Sequence, residues 1–305
     1  MGKPTDDPKL VEDAFERFLA TPDSGGGYHR HVAQLRTELY GLRLELARAT
    51  KSKPRSTPQT HLIIGDSHSD PDVPNDRYRW LGRLIADLKP NSVIDIGDWA
   101  DMASLSHYDF GKRSFEGRRY KKDIEHAVLA RETVAKELAK MKVKPDLYAL
   151  EGNHEYRVTK ATDNDPKLTG LISTADFQVE RFGWRAVPFM VPVFIDGIAY
   201  SHYHPSGVKT QPIGGINLAS SLVRLGLMSC VQGHSHVFDY SERTRRDGQK
   251  LLGLSVGCYF KHYMGWAGEA NAMYWRGIVV LHDVVDGYGQ VEKLSLDWIE
   301  KNYGG

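Results

Sequence analysis

The chain has 305 residues, and its 40 lysines and arginines nearly balance its 39 aspartates and glutamates, giving a formal net charge of +1. This balance excludes a protein that binds nucleic acid or a membrane surface through a large overall charge, so any basic surface must be local. The sequence has no apolar run of about 18 residues, no signal-peptide core and no CxxC pair. We therefore expect a soluble, cytoplasmic protein with no membrane partner.

The first 56 residues are predicted to form a helical segment followed by a basic linker. A short helix is expected over residues 6–21, and a second helix carries apolar residues at heptad spacing over residues 28–46. This heptad seam either packs on the protein's own catalytic domain or forms a homodimer, and the sequence leaves both alternatives open. The basic, proline-spaced residues 51–60 then place a domain boundary between residues 1–56 and 57–305.

From residue 61 onward the pattern alternates strands with helices, which predicts an α/β fold with right-handed parallel crossovers. Open sheets of this kind place their functional sites outside the carboxyl ends of the strands. The second half of the chain is richer in predicted strands and hairpins. Strands are predicted over residues 61–66, 92–98, 146–154, 186–195, 198–202 and 228–236, hairpins over 238–257 and 277–298, and helices over 78–88, 118–141 and 216–225.

Polar motifs follow five of the predicted strands. Burying so many titratable groups together without a cation would be costly, so these motifs predict a metal site. Seven oxygen and imidazole donors exceed one tetrahedral site, and a carboxylate such as Asp98 can bridge two ions. The absence of thiolate ligands indicates a divalent transition metal such as Mn, Fe, Zn or Ni, without choosing between them. We take Mn as the first choice. The motifs are Asp66-x-His68, Asp98-x-x-Asp101, Asn153-His154-Glu155, Ser201-His202 and His234-x-His236.

This order of motifs resembles the calcineurin-like metallophosphoesterase superfamily over roughly residues 61–236. The resemblance implies a four-layer α/β/β/α sandwich, with the N-terminal helical segment as an appendage, and a binuclear metal centre. One ion would be held by Asp66, His68, Asp98 and His236, and the second by Asp98, Asn153, His202 and His234. His204 is the alternative to His202 as a ligand of the second ion. His202 is preferred because it directly ends a predicted strand.

The resemblance also implies that His154 is not a ligand. It would face the substrate, oriented by Asp101, and stabilise or protonate the leaving oxygen. Two cations are expected to lower the pKa of a bridging water, and the resulting hydroxide would attack phosphorus in line. General acid catalysis by His154 would contribute roughly 10²–10⁴-fold to the rate.

The substrate class is less sharply indicated. The motif GNHEYR, which includes Arg157, is similar to the serine/threonine protein phosphatases, but Met102 stands where those enzymes carry an arginine. The GHSH of residues 233–236 is instead similar to the phosphodiesterase and nuclease branches. We therefore expect a phosphodiesterase or nuclease. The alternatives are a phosphomonoesterase acting on a phosphoprotein or small metabolite, and a metal-bound scaffold without catalysis.

Residues 104–122 are the predicted substrate-contacting segment, because basic side chains alternate there with aromatic ones. Such a segment suits a phosphodiester or nucleotide-like substrate, including single-stranded nucleic acid. A solvated loop followed by a charged helix start is an equally good interpretation. The candidate substrate-binding residues are Lys112, Arg113, Arg118, Arg119, Arg157 and His204.

Overall fold

The computed structural model describes residues 27–49, 55–108, 111–207 and 211–305. The chain divides into two units, Met1–Leu46 and Ala47–Gly305. The helix predicted over residues 6–21 lies outside the described residues. The domain boundary expected between residues 56 and 57 stays a prediction, because residues 50–54 of the linker are also outside them.

The heptad seam lies on one helix, α1. This helix keeps Leu39, Leu42 and Leu46 exposed, so the homodimer remains a prediction. The described α-helices are, in chain order, α1 (Gly27–Ala49), α2 (Asp76–Leu88), α3 (Tyr120–Leu138), α4 (Tyr156–Asn164), α5 (Leu218–Gly226) and α6 (Leu296–Tyr303). Among the described residues, no helix combines the length and the apolarity needed to cross a membrane.

The strands form two mixed sheets, which confirms the predicted α/β class. In chain order the described strands are β1 (Gln59–Ile64), β2 (Ser92–Asp95), β3 (Asp146–Leu150), β4 (Arg185–Val187), β5 (Val193–Ile195), β6 (Ile198–Tyr200), β7 (Ser229–Gln232), β8 (Phe238–Thr244), β9 (Lys250–Val256), β10 (Gly277–Val285) and β11 (Tyr288–Ser295). The six-stranded sheet has the order β11-β10-β1-β2-β3-β4, and the five-stranded sheet has the order β5-β6-β7-β9-β8. Strands β1 to β4 are parallel, as the crossovers require.

The apolar core shows how these sheets are covered. Successive side chains of a strand point to opposite faces. Ile63 of β1 belongs to a cluster that also contains Val231 and Leu254 of the second sheet, whereas its neighbours Leu62 and Ile64 belong to a cluster with residues of α2, α3 and α6. On the far side of the second sheet, α5 packs through its own apolar cluster. Residues of both sheets therefore share one apolar cluster, and the helices contribute to the other two.

Two helices were not predicted. Helix α4 begins directly after the GNHE motif, and α6 occupies the end of the stretch predicted as a strand pair over residues 277–298. The strand β11 ends at Ser295 because the side chain of this residue accepts a hydrogen bond from the main-chain N–H of Trp298 at 3.2 Å, which caps α6. The strand predicted over residues 146–154 likewise ends early, at Leu150, before the turn that carries the polar motif.

Candidate metal centre

The polar motifs that follow β1, β2, β3, β6 and β7 come together in the structure. Among the described residues there are three groups of side chains in which the potential ligand atoms of each group lie within 4.8 Å of one another. These buried His and Asp clusters could hold metal ions. The groups are Asp66, His68 and His236; Asp98, His202 and His234; and His68, Asp101 and His154.

The carboxylate of Asp98 belongs to the second group and also approaches the first. Its Oδ2 is 3.4 Å from Nε2 of His202 and 3.9 Å from Nε2 of His68. Asn153 joins the second group, because its Oδ1 lies 3.0 Å from Nε2 of His202. The structure thus brings all seven predicted metal ligands to one place, with one carboxylate shared by both groups.

Each of the two central carboxylates is fixed through one oxygen. Oδ1 of Asp66 accepts a hydrogen bond from the main-chain N–H of His234 at 2.9 Å, and Oδ1 of Asp98 accepts one from the main-chain N–H of His154 at 2.8 Å. The other oxygen of each carboxylate faces the imidazoles, as shown by the 3.0 Å distance between Oδ2 of Asp66 and Nε2 of His236. One oxygen orients the side chain and the second is presented to the centre.

The imidazoles are oriented in a similar way. Nδ1 of His202 lies 3.2 Å from the carbonyl oxygen of Ile96, and Nδ1 of His68 lies 2.8 Å from a carboxylate oxygen of Asp101. Because these oxygens accept hydrogen bonds, Nδ1 carries the proton and Nε2 keeps its lone pair. Nε2 of His68 is buried and has no hydrogen-bond partner among the described residues. A cation would satisfy this atom, so the residues present fit a metal ion.

Burial sets the charge of the centre. It lowers the pKa of His68 to about 3 and that of His234 to about 4, with neighbouring histidines adding to the effect. The imidazoles of His68 and His234 are therefore neutral at pH 7, which is the form that binds metal. Burial also raises the pKa of Asp98 to about 7, and the nearby Asp66 carboxylate adds to the rise. A cation between the two carboxylates would remove this penalty.

Backbone strain is present at four of the candidate ligands. His68, Asp98, His234 and His236 have φ values of 42°, 52°, 64° and 58°, in the left-handed region that disfavours residues other than glycine. Each such residue costs on the order of 1–3 kcal/mol and persists only where the surroundings enforce it. Close packing supplies that enforcement at Gly152, where an added Cβ would lie 2.0 Å from Oδ1 of Asp98.

Glu155 is a buried residue for which the sequence analysis assigned no role. Its carboxylate accepts hydrogen bonds from the main-chain N–H groups of Asp98, Ala100 and Gly152 at 3.0, 2.8 and 2.8 Å. These bonds tie the loop after β2 to the loop after β3. The only sequence signal was its position in the GNHE motif, since its partners lie up to 57 residues away.

His154 and Asp101 are in contact, as expected, but Asp101 does more than predicted. Nδ1 of His154 lies 2.6 Å from the main-chain oxygen of Asp101 and 3.3 Å from its carboxylate, which also contacts His68. Nε2 of His154 lies 3.7 Å from Oδ2 of Asp98 and receives a hydrogen bond from Arg157 at 3.0 Å. Arg157 therefore reaches the site from α4, whereas Met102 is buried.

The predicted substrate-binding residues outside the GNHEYR motif are more dispersed. Arg118 pairs with the Asp70 carboxylate at 2.9 and 3.0 Å, and Arg119 donates to the main-chain oxygen of Arg118. Lys112 and Arg113 are exposed. His204 lies outside the three His and Asp groups, with its Nε2 3.2 Å from the main-chain oxygen of Val231, and burial lowers its pKa to about 4.

Comparisons with known proteins add a distant relative. No protein-family model matches the chain. The chain is similar to the "Gene 54 protein" of Mycobacterium phage L5, with 27% identity over 176 residues that make up 55% of this chain and 67% of the relative. A solved structure is 10% identical and covers 78% of this chain and 99% of its own length, with a TM-score of 0.36, too low to indicate a shared fold.

Proposed function

We propose that the protein is a phosphoesterase of the calcineurin-like metallophosphoesterase type that depends on two divalent metal ions. The observation that supports this proposal most strongly is the Asp98 carboxylate, which belongs to one buried His and Asp group and lies 3.9 Å from His68 of the other. Part of the proposal is the four-layer α/β/β/α arrangement of that superfamily, supported by the apolar clusters on both faces of both sheets.

The donor set fits the two ions that this function needs. One would be held by the Asp66, His68 and His236 group and the other by the His202 and His234 group with Asn153, with Asp98 common to both. Mn²⁺ is the first choice, with Fe, Zn and Ni as alternatives. When bound, the two ions would stabilise charge on the phosphoryl oxygens and lower the pKa of water near them towards neutrality.

The chain's own residues would hold and move protons. Nδ1 of His154 donates to the main-chain oxygen of Asp101, which fixes the ring and leaves Nε2 directed at the centre. Nε2 accepts a hydrogen bond from Arg157 and so carries no proton in this arrangement. With substrate bound, the Arg157 guanidinium would instead donate to a phosphoryl oxygen, and Nε2, once protonated from solvent, would pass its proton to the leaving oxygen.

The proposed substrate is a phosphodiester or nucleotide-like compound, including single-stranded nucleic acid. A phosphomonoesterase is the second candidate, and one observation favours it: the Arg157 guanidinium lies beside His154, where it could bind the extra charge of a monoester. A buried Met102 in place of an arginine argues for the diester.

The test compares bis(p-nitrophenyl) phosphate with p-nitrophenyl phosphate as substrates of the full chain with added Mn²⁺. We expect faster hydrolysis of the diester, loss of activity after chelation, and two ions per chain by elemental analysis. Asp98→Asn should lower the metal content, whereas the matched control Asp247→Asn, in an exposed hairpin turn, should not. Activity confined to the monoester would establish the second candidate. Two bound ions without hydrolysis of either ester would indicate the non-catalytic scaffold.

A further inference from the structure

Three aromatic rings form a continuous row that begins at the candidate metal centre. The ring of Tyr203 lies 5.0 Å from the ring of His234, and the ring of Phe189 lies 5.6 Å from that of Tyr203. The ring of Tyr156 is stacked on Phe189 at 4.6 Å with an interplanar angle of 22°. The ammonium group of Lys160 lies 5.6 Å from the Tyr156 ring and gives the outer end of the row a positive charge.

The row is fixed in place by the same loops that carry the candidate ligands. Tyr203 directly follows His202, and Tyr156 comes two residues after His154. Phe189 lies between β4 and β5, where its main-chain N–H donates to the Glu151 carboxylate at 3.1 Å. Because each ring is attached to a separate anchored segment, the row has a defined position relative to the metal centre.

The three residues of the row keep part of their surface exposed, as other aromatic residues such as Trp80, Tyr120 and Tyr148 also do. What distinguishes the three is their position, since their rings adjoin one another and the candidate metal centre. A partly exposed aromatic row beside a phosphoester-binding centre is typical of a surface for stacking bases.

We propose that Tyr203, Phe189 and Tyr156 form a stacking subsite for the base of a nucleotide whose phosphate lies at the metal centre. This inference rests on the proposed function and assigns its substrate to the nucleotide esters. It places the base contact at these three rings and not at residues 104–122, the segment that the sequence predicted to contact the substrate. The Lys160 ammonium would attract the anionic strand at the outer end of the row.

The experiment uses two diesters with the same p-nitrophenol leaving group and Mn²⁺ as the metal. One is the p-nitrophenyl ester of thymidine 5′-monophosphate, and the other is methyl p-nitrophenyl phosphate. The measured quantity is the ratio of kcat/KM for the thymidine ester to kcat/KM for the methyl ester. Stacking on aromatic side chains is worth about 1–3 kcal/mol per base, so Phe189→Leu should lower this ratio by roughly 5- to 150-fold.

The control variants separate stacking from loss of fold. Phe189→Tyr keeps an aromatic ring and should retain the ratio, as should Trp298→Leu, which removes an aromatic ring that is 44% exposed on α6. Should Phe189→Leu fail to fold, Tyr203→Leu provides the same measurement. Tyr108 is an exposed ring in the segment of residues 104–122 that the sequence predicted to contact the substrate. An unchanged ratio in the folded leucine variant, or a lowered ratio in Tyr108→Leu instead, would overturn the inference while the proposed function stands. Failure of the parent protein to hydrolyse either ester would refute both.

Discussion

The carboxylate of Asp101 accepts a hydrogen bond from Nδ1 of His68 at 2.8 Å, and its main-chain oxygen accepts one from Nδ1 of His154 at 2.6 Å. One residue therefore orients both a candidate metal ligand and the candidate general acid. The carboxylate also lies 3.3 Å from Nδ1 of His154, but its shorter contact is with His68, whereas the shorter contact of His154 is with the main chain. Substitution of the side chain should consequently act more strongly on the metal than on His154.

Asp101→Asn is expected to lower the affinity for Mn²⁺ at one of the two sites by roughly 10- to 100-fold, because a neutral amide no longer supports the His68 ring. Competition with a chromogenic chelator measures this affinity. Asp247→Asn, on the exposed hairpin, provides the control. An unchanged Mn²⁺ affinity together with a lower kcat would restrict the role of Asp101 to His154, as the sequence alone implied.

His154→Asn is expected to retain two ions per chain and lose roughly 10²–10⁴-fold in kcat on the diester, because Nε2 is no longer there to protonate the leaving oxygen. Elemental analysis and steady-state kinetics on the same preparation measure both quantities. Equal turnover by the variant and the parent, both with full metal content, would remove His154 from the mechanism.

Glu155→Ala is expected to lower the free energy of unfolding by at least about 3 kcal/mol. The substitution leaves three buried main-chain N–H groups without their acceptor, and each costs on the order of 1–3 kcal/mol. Urea unfolding of the metal-free chain measures this loss. The control Glu180→Ala removes an exposed carboxylate and should change the stability by less than about 0.5 kcal/mol. Similar losses in both variants would show that the three bonds contribute little.

A buried cluster away from the metal centre predicts a loss of stability in acid. His61 contacts the Asp196 carboxylate through Nε2 at 2.9 Å and the Tyr200 hydroxyl through Nδ1 at 2.7 Å, and Arg55 pairs with the same carboxylate. Burial lowers the pKa of His61 in the folded protein, so the unfolded chain takes up this proton more readily below about pH 6.5. The free energy of unfolding should therefore fall between pH 7 and pH 5.

Asp196 should add a second loss at lower pH. Burial alone would raise the pKa of this carboxyl, but hydrogen bonds from His61 and Arg55 bring it below its usual value. Its contribution to stability is present above about pH 4 and is lost as the pH falls further.

His61→Gln tests the first of these losses. The variant should lose less stability than the parent between pH 7 and pH 5 in urea titrations with a chelator present. The histidines of the metal centre are common to both proteins and cancel in this comparison. Parallel stability curves would exclude His61 as a source of the acid sensitivity.

The main elements of the fold could be predicted from the sequence because each one depends on residues that lie close together in the chain. Apolar β-branched runs such as Leu62–Ile64 end at polar motifs, and alternation with helices predicts the α/β class and places the motifs at strand ends. Helix α6 was missed because residues 294–298 also alternate in the manner of a strand, and only the side-chain bond of Ser295 ends it. The capping hydrogen bond of Ser295 leaves little signal in the sequence, but in the structure it marks where the strand ends and the helix begins.

In the candidate site, too, the local motifs could be predicted from the sequence, whereas the contacts between distant segments could not. Its histidines and aspartates stand in short motifs, but the partners of Glu155 and the dual role of Asp101 depend on distances between segments far apart in the chain. The row of Tyr203, Phe189 and Tyr156 comes from three such segments, and no periodicity relates them. The sequence emphasised residues 104–122 instead, because their charges and rings are contiguous.

The left-handed backbone at His68, Asp98, His234 and His236 has a consequence for how this protein could change. Glycine would relieve the strain at such a position, but His236→Gly would also remove a buried ring that packs on Phe260 and Tyr274. The relief of strain and the loss of packing therefore oppose each other. Exchange of these residues is restricted both by the backbone conformation, which favours glycine, and by the packed imidazole, which glycine cannot replace.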